Sequence, residues 1–243
     1  GTTSLTGYVY GNGTSAMSAS TSIPASAISG NIGGSAANVT GTINASMGAG
    51  NDSITYNTGA AAANGSIDGG AGNDSVAAGS GNDTIAGGDG NDTITANEGS
   101  NSVNAGDGND TVTAGVSSDT IDGGAGNDTI NAGAGNNSVT AGDGSDDVTT
   151  GAGNDTITGG LGNDTIAAGA GSNSVDGGEG ADNISAGAGA DTITGGAGAD
   201  SITGGGGADS ILSGDGNDRI TFANLAAIQG AAKIDGGSDT DTV

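Results

Sequence analysis

The chain has 243 residues, 55 of them Gly, with one Pro, one Phe, three Tyr and no Trp, His or Cys. So few large apolar side chains argue against a conventional globular core, and zero Cys excludes a disulfide framework or any thiolate site. The formal net charge is −26, with only Arg219 and Lys233 positive, which makes nucleic acid and anionic membrane surfaces poor partners.

Residues 1–47 are rich in Ser, Thr, Ala and Gly, with a weak apolar spacing of eleven in Ile32, Ile43 and Ile54. They read either as a solenoid extension or as a small β-domain. Gly48-Ala-Gly-Asn-Asp52-Ser-Ile54 is the first recognisable repeat, and a four-residue insertion follows around Ala60–Gly65. No apolar run reaches membrane-spanning length, Ala60–Ala63 being the nearest approach.

From Ile67 an Ile or Val recurs every nine residues, at Val76, Ile85, Ile94, Val103, Val112, Ile121, Ile130, Val139, Val148, Ile157, Ile166, Val175, Ile184, Ile193, Ile202, Ile211 and Ile220. Low complexity alone does not hold such a register, so this is a structural repeat. Its unit is Gly-Gly-x-Gly-x-Asp-x-U-x, as in Gly87-Gly-Asp-Gly-Asn-Asp-Thr-Ile-Thr95. Gly at the first, second and fourth places permits positive φ and a tight turn that gathers carbonyls on one side. Asp adds a carboxylate beside them, and U sits in a short strand with its side chain inward.

After Ile220 the phase slips by five residues through Phe222-Ala-Asn-Leu-Ala-Ala-Ile228, so residues 222–233 read as a loop or short helix packed on the array. Ile234 and Val243 resume the spacing, and residues 234–243 look like a further repeat cut short. With no Met and no basic–apolar signal at Gly1, the chain reads as a piece of something longer.

Taken two to a coil of 18 residues, as the family resemblance given below implies, alternate nonapeptides fall on opposite edges. On edge A the Asp is always present: Asp74, Asp92, Asp110, Asp128, Asp146, Asp164, Asp182, Asp200 and Asp218. The second and fourth glycines are also unbroken there: Gly70, Gly72, Gly88, Gly90, Gly106, Gly108, Gly124, Gly126, Gly142, Gly144, Gly160, Gly162, Gly178, Gly180, Gly196, Gly198, Gly214 and Gly216. Edge B reads Asp83, Asn101, Asp119, Asn137, Asp155, Asn173, Asp191, Asp209, and its turns depart from Gly at Asn97 and Ser117. Carboxylates and carbonyls in a flexible loop are a hard-cation donor set, and calcium affinity follows ligand charge. Edge A is therefore the expected strong edge and edge B the weaker one; the alternative is that Asn is a neutral replacement tolerated through its amide oxygen.

At this point residues 65–221 resemble the repeats-in-toxin (RTX) family, whose signature is this calcium-binding nonapeptide. The resemblance implies an all-β, right-handed parallel β-roll over residues 48–221 with two short strands per coil. It also implies that turn carbonyls share each ion with Asp carboxylates from two turns. Transferred to this chain, Gly70, Gly72 and Asp74 act with Gly87, the Asp89 backbone and Asp92, and so on along the edge. Nine edge A turns and eight edge B turns enclose up to about fifteen ions. Export through a type I channel is a further implication.

Coils stacked at about 4.8 Å put neighbouring edge A carboxylates about 5 Å apart. Each pair then repels by about 1 kcal/mol in bulk water and about 3 kcal/mol at an effective dielectric near 20. Eight such pairs rival the whole stability of an ordinary domain, about 5–15 kcal/mol. The ion-free array is expected to unfold, and calcium to fold it.

Other motifs fall away. The many Gly-x-Gly-x-x-Gly matches lack a following helix, the Asn-x-Ser/Thr sequons arise from the turns, and Asp89–Asp92 lacks the helices and terminal Glu of an EF-hand. Without His or Cys, catalysis has little to work with. The leading expectation is a calcium-dependent structural module of a secreted bacterial cell-surface protein, a surface-layer or adhesin subunit that rigidifies in extracellular calcium and self-associates. The alternative is the secretion and folding module of an RTX protease, lipase or toxin, which a His-Glu-x-x-His or Gly-x-Ser-x-Gly motif elsewhere in the parent chain would reveal. A third reading, an outward Thr ladder that binds ice or a flat polymer, needs Thr at the third template place, where the chain has Ala, Asp, Glu, Ser or Leu.

Overall fold

A strand of this chain is short because its unit is short. In Thr93–Asn97 the hydroxyl of Thr93 faces out, Ile94 faces in, Thr95 lies at the surface and Ala96 faces in again, the two-residue alternation of a half-buried strand. Positive φ at Asn97 and Gly99 then turns the chain back. A computed structural model describes residues 43–55, 64–222 and 233–242. Those residues form twenty-one strands and no helix, from β1 (Ile43–Ala49), β2 (Ser53–Thr55), β3 (Gly65–Ala71) and β4 (Ser75–Ala77) to β19 (Ser210–Asp215), β20 (Arg219–Phe222) and β21 (Lys233–Asp235).

Odd-numbered strands make one eleven-stranded parallel sheet and even-numbered strands one ten-stranded parallel sheet. The register is 18 residues per coil, with Ile130 beside Val148 and Val139 beside Ile157. The chain is thus an all-β parallel solenoid with two strands per coil. Between the sheets lies one continuous core, to which Ile54 and every Ile or Val of the nine-residue series from Ile67 to Ile220 belong. Each coil contacts only its neighbours, so the core is long and thin.

The two insertions leave the ladder intact. Across the first, β2 pairs with β4 at a register of 22, Ile54 beside Val76; across the second, β19 pairs with β21 at 23, Ile211 beside Ile234. The expected loop or helix after Phe222 and nearly all of the Ser/Thr-rich N-terminal stretch lie outside the described residues. In β1 the eleven-residue spacing gives way. Ala45, not Ile43, stands in register with Ile67, so the inward column runs at nine residues from Ala45 to Ile54. Pairing with β3 decides the register, and an Ala suffices at the end of the column.

The first template place also departs from expectation. Positive φ occurs at the second and fourth places; on edge A all eighteen such glycines lie between +101° and +143°. The first place is extended and points into the core. Ala96, Ala105, Ala132, Ala141, Ala168 and Ala186 fill it with 0% exposure, and Gly, as at Gly87, is its smallest occupant. A Cβ on a second-place glycine would overlap the carbonyl of the coil before, as Gly142 would meet the oxygen of Gly124. Gly206, at a third place beside Ala188, has nothing within 4 Å of an added Cβ.

Gly142→Ala should therefore lose at least about 1–3 kcal/mol from its φ alone, and Gly206→Ala should stay within about 0.5 kcal/mol of the parent. Urea unfolding midpoints in calcium-containing buffer test the pair; equal midpoints would refute the close-stacking account.

Candidate metal centre

The Asp that ends each turn is not a solvated residue. All nine template aspartates of edge A and the five of edge B are buried, with 1–3% of their surface exposed. The reason is a hydrogen bond the repeat pattern does not reveal. The backbone N–H of Asp74 donates to Oδ1 of Asp92 at 2.7 Å, Asp92 to Asp110 at 2.7 Å, Asp110 to Asp128 at 2.8 Å, and so on to Asp218. Each carboxylate thus folds inward to pin the coil before it. Edge B carries the same ladder, as in Asp191 N–H to Oδ1 of Asp209 at 3.1 Å.

Oδ2 of every one of these fourteen aspartates has no hydrogen-bond partner. A buried carboxylate oxygen left unmatched costs free energy and calls for an explanation. It is aimed at a gap lined by main-chain oxygen. A Cβ added to Gly177 would sit 2.5 Å from Asp182 Oδ2 and 2.5 Å from the Gly195 carbonyl of the next coil; one added to Gly69 would sit 2.6 Å from Asp74 Oδ2 and 2.5 Å from the Gly87 carbonyl. Among the described residues no group of three or more acidic side chains converges. The donor set at each gap is one or two carboxylates plus carbonyls, all oxygen, which suits a hard cation of Ca²⁺ type.

The electrostatics point the same way. Burial pushes Asp128 up to about 7, offset in part by the Asp110 N–H, with Asp110 and Asp146 raising it further. Burial likewise takes Asp110, Asp164 and Asp200 to about 6, each with a neighbouring edge A carboxylate adding to the rise. On edge B burial raises Asp119 too, but there the Asn101 backbone and side-chain amide offset it and no like charge adds to it. Asp191, which has Asp209 next to it, regains the like-charge contribution. A chain of carboxylates held above the usual range is one that lacks its counter-charge.

The sequence-predicted positions take their places, Asp52 among them, with one addition. Asp52 is half-buried and its N–H donates to Asp74 Oδ1 at 2.7 Å, so it begins the edge A row. Asp241, not singled out from sequence, ends it by accepting the Asp218 N–H at 3.2 Å. The signal was present in Gly236-Gly-Ser-Asp-Thr-Asp241, but Asp239 holds the fourth place where Gly is expected, at φ +80°. The third-place acids Asp89, Asp107, Asp143, Glu179 and Asp215 are exposed and take no part in the ladder.

In metal-free buffer the sign of a pH effect follows. A carboxyl whose pKa is raised in the fold favours the fold below its unfolded value, about 4, and loses that contribution as pH rises through its folded value. For Asp110, Asp128, Asp164 and Asp200 the loss falls between about 4 and 7. Acidifying the metal-stripped protein from pH 8 to pH 5 should therefore increase β-structure by far-UV circular dichroism; a flat or falling signal would contradict the assignment.

A family description, RTX calcium-binding nonapeptide repeat (four copies), matches the chain in nine overlapping segments that together run through residues 62–220. No curated protein matches the chain. The matched span is the solenoid with its two rows of inward-folded aspartates. The chain belongs to the RTX family of calcium-binding nonapeptide-repeat proteins.

Proposed function

We infer that this solenoid is the calcium-dependent structural module of a secreted bacterial cell-surface protein, of the surface-layer or adhesin kind, that folds and stiffens on meeting extracellular calcium. The observation that carries the reading is the fourteen partnerless carboxylate oxygens, all buried and all set in two rows that run the length of the stack. The residues that would hold calcium are Asp52, Asp74, Asp92 and their successors to Asp218 on edge A, and Asp191 and Asp209 on edge B; Asp83, Asp119 and Asp155 carry the same ligand type but alternate with Asn101, Asn137 and Asn173, whose effect is taken up below. The carbonyls of the turn glycines complete each set. When bound, the ion supplies the positive charge that the carboxylates and carbonyls lack.

The rest is work done by the chain. Oδ1 of each Asp holds the coil before it through a main-chain N–H, leaving only Oδ2 free to reach across the turn. Positive φ at Gly88 and Gly90 brings successive turns close enough for their oxygens to share one gap. Extracellular modules bind calcium at about 10⁻⁴–10⁻³ M, so at millimolar calcium each site adds up to about 1.4 kcal/mol. Many such sites make folding steep in calcium, and a calcium-poor cytosol keeps the chain open for export. Near absence of Lys and Arg, and a Ser/Thr/Ala/Gly-rich flank, favour a surface role over service to a linked enzyme. Without His or Cys the composition leaves catalysis only carboxylates, hydroxyls and three tyrosines, and the carboxylates have a metal-binding explanation.

Calcium titration followed by far-UV circular dichroism tests this. The expected result is a sigmoidal gain of β signal with Ca²⁺ and none at equal Mg²⁺, which demands octahedral geometry and keeps its water. Full β signal with Mg²⁺ alone, or in excess chelator at neutral pH, would overturn it.

A further inference from the structure

Three edge B turns carry Asn at the template Asp position, and they are wired differently from their neighbours. Asn101, Asn137 and Asn173 are as buried as the aspartates, 2–3% exposed. Each keeps the ladder bond: the N–H groups of Asp83, Asp119 and Asp155 donate to their amide oxygens, all at 2.9 Å. The difference is on the other branch of the planar group. Where Asp presents an orphaned oxygen, Asn presents an NH₂, and that NH₂ donates to main-chain carbonyls of its own turn and, for Asn173, of the next coil as well. Asn101 reaches the oxygens of Asn97 at 3.4 Å and Gly99 at 3.1 Å. Asn137 reaches Gly133 at 3.4 Å and Gly135 at 3.3 Å. Asn173 spans two coils, from Ala168 at 3.4 Å to Ala186 at 3.3 Å. Among the described residues none of the three leaves a buried side-chain atom unpartnered, whereas all five aspartates on the same edge do.

A second observation separates the edges. The first template place, whose missing Cβ opens the gap facing Oδ2, is Gly in six of nine edge A turns but in only one of eight on edge B, Gly204. The others on edge B are Ala or Thr. Gly204 belongs to the turn of Asp209, which follows Asp191, so the one all-carboxylate interval of edge B also has the open first place.

We propose that Asn101, Asn137 and Asn173 are resident substitutes for the cation, so that edge B closes without metal from Asp83 to Asp191 and takes up calcium only where Asp191 meets Asp209. The proposal rests on the calcium reading of the aspartate rows. A side-chain amide bears a partial positive charge on two donors, enough to satisfy two carbonyls, and it adds no negative charge. Alternation also doubles the spacing between edge B carboxylates, from about 5 to about 10 Å, which halves their direct repulsion. Edge B is then a seam that holds the coils in register while edge A awaits its ions.

Anomalous diffraction from calcium-loaded crystals of the wild-type chain tests this. Density is expected between successive edge A aspartates and between Asp191 and Asp209, and none beside Asn101, Asn137 or Asn173. Density at those asparagines would overturn the proposal; no density on either edge would instead sink the calcium reading beneath it. Stoichiometry gives an independent check. Asn101→Asp, Asn137→Asp and Asn173→Asp together turn the six mixed intervals between Asp83 and Asp191 into Asp–Asp intervals. By equilibrium dialysis the triple variant should take up as many as six more ions than wild type, and Asn137→Asp alone as many as two. Unchanged uptake by a variant with the wild-type circular dichroism spectrum in calcium would overturn the proposal.

Discussion

A carboxylate with one oxygen tied and the other left over governs this molecule. Oδ1 of each aspartate accepts a main-chain N–H from the coil before, so the side chain cannot swing out to water without breaking the stack. Oδ2 is carried into a buried gap by the same bond. Folding and the demand for a counter-charge are therefore one event: the hydrogen bond that aligns two coils is the one that strands the second oxygen. The proposed resolution is a cation where aspartates follow one another and an amide at the three Asn turns.

Close stacking is the companion constraint. The second-place glycines lie so near the carbonyl of the coil before that no Cβ fits, and their φ values suit no other residue well. Such proximity brings oxygens of adjacent coils to one gap, which is useful only if positive charge arrives. Glycine content and acidity are thus two faces of one design. The aliphatic column contributes one Ile or Val per strand, which sets register and excludes water but leaves each coil a slender core.

The two edges divide the labour. Edge A repeats like charge at every coil, and its buried carboxyls are raised by their neighbours as well as by burial. Edge B interleaves amides and largely avoids that coupling. A stack in which each coil touches only its neighbours transmits a local closure along its length, so a metal-free seam on one side lowers the cost of ordering the other. In the calcium-dependent folding proposed for this chain, such asymmetry separates keeping register from gaining stiffness.

Much of this was legible in the residues themselves. The unbroken series from Ile67 to Ile220 specified strands, coil length and the inward column, because a two-per-coil period leaves one way to bury the aliphatics. The Asp positions and the split into an all-Asp and a mixed edge were likewise there to be read. Ala45 as the first inward residue and Asp241 as the last of the row were not, because pairing across an insertion, rather than local spacing, places them. Nor could the repeat show that the first template place is a core position, since Gly and Ala there look alike until the strand's alternation is laid against the opposite sheet. Sequence alone determined which oxygens and amides the chain carries and at what interval, for periodicity is a property of the string. Only the tertiary structure decided which oxygen of each carboxylate is tied, which is stranded, and that an Asn amide turns onto the carbonyls, because those depend on how each turn folds on itself and on distances between coils eighteen residues apart.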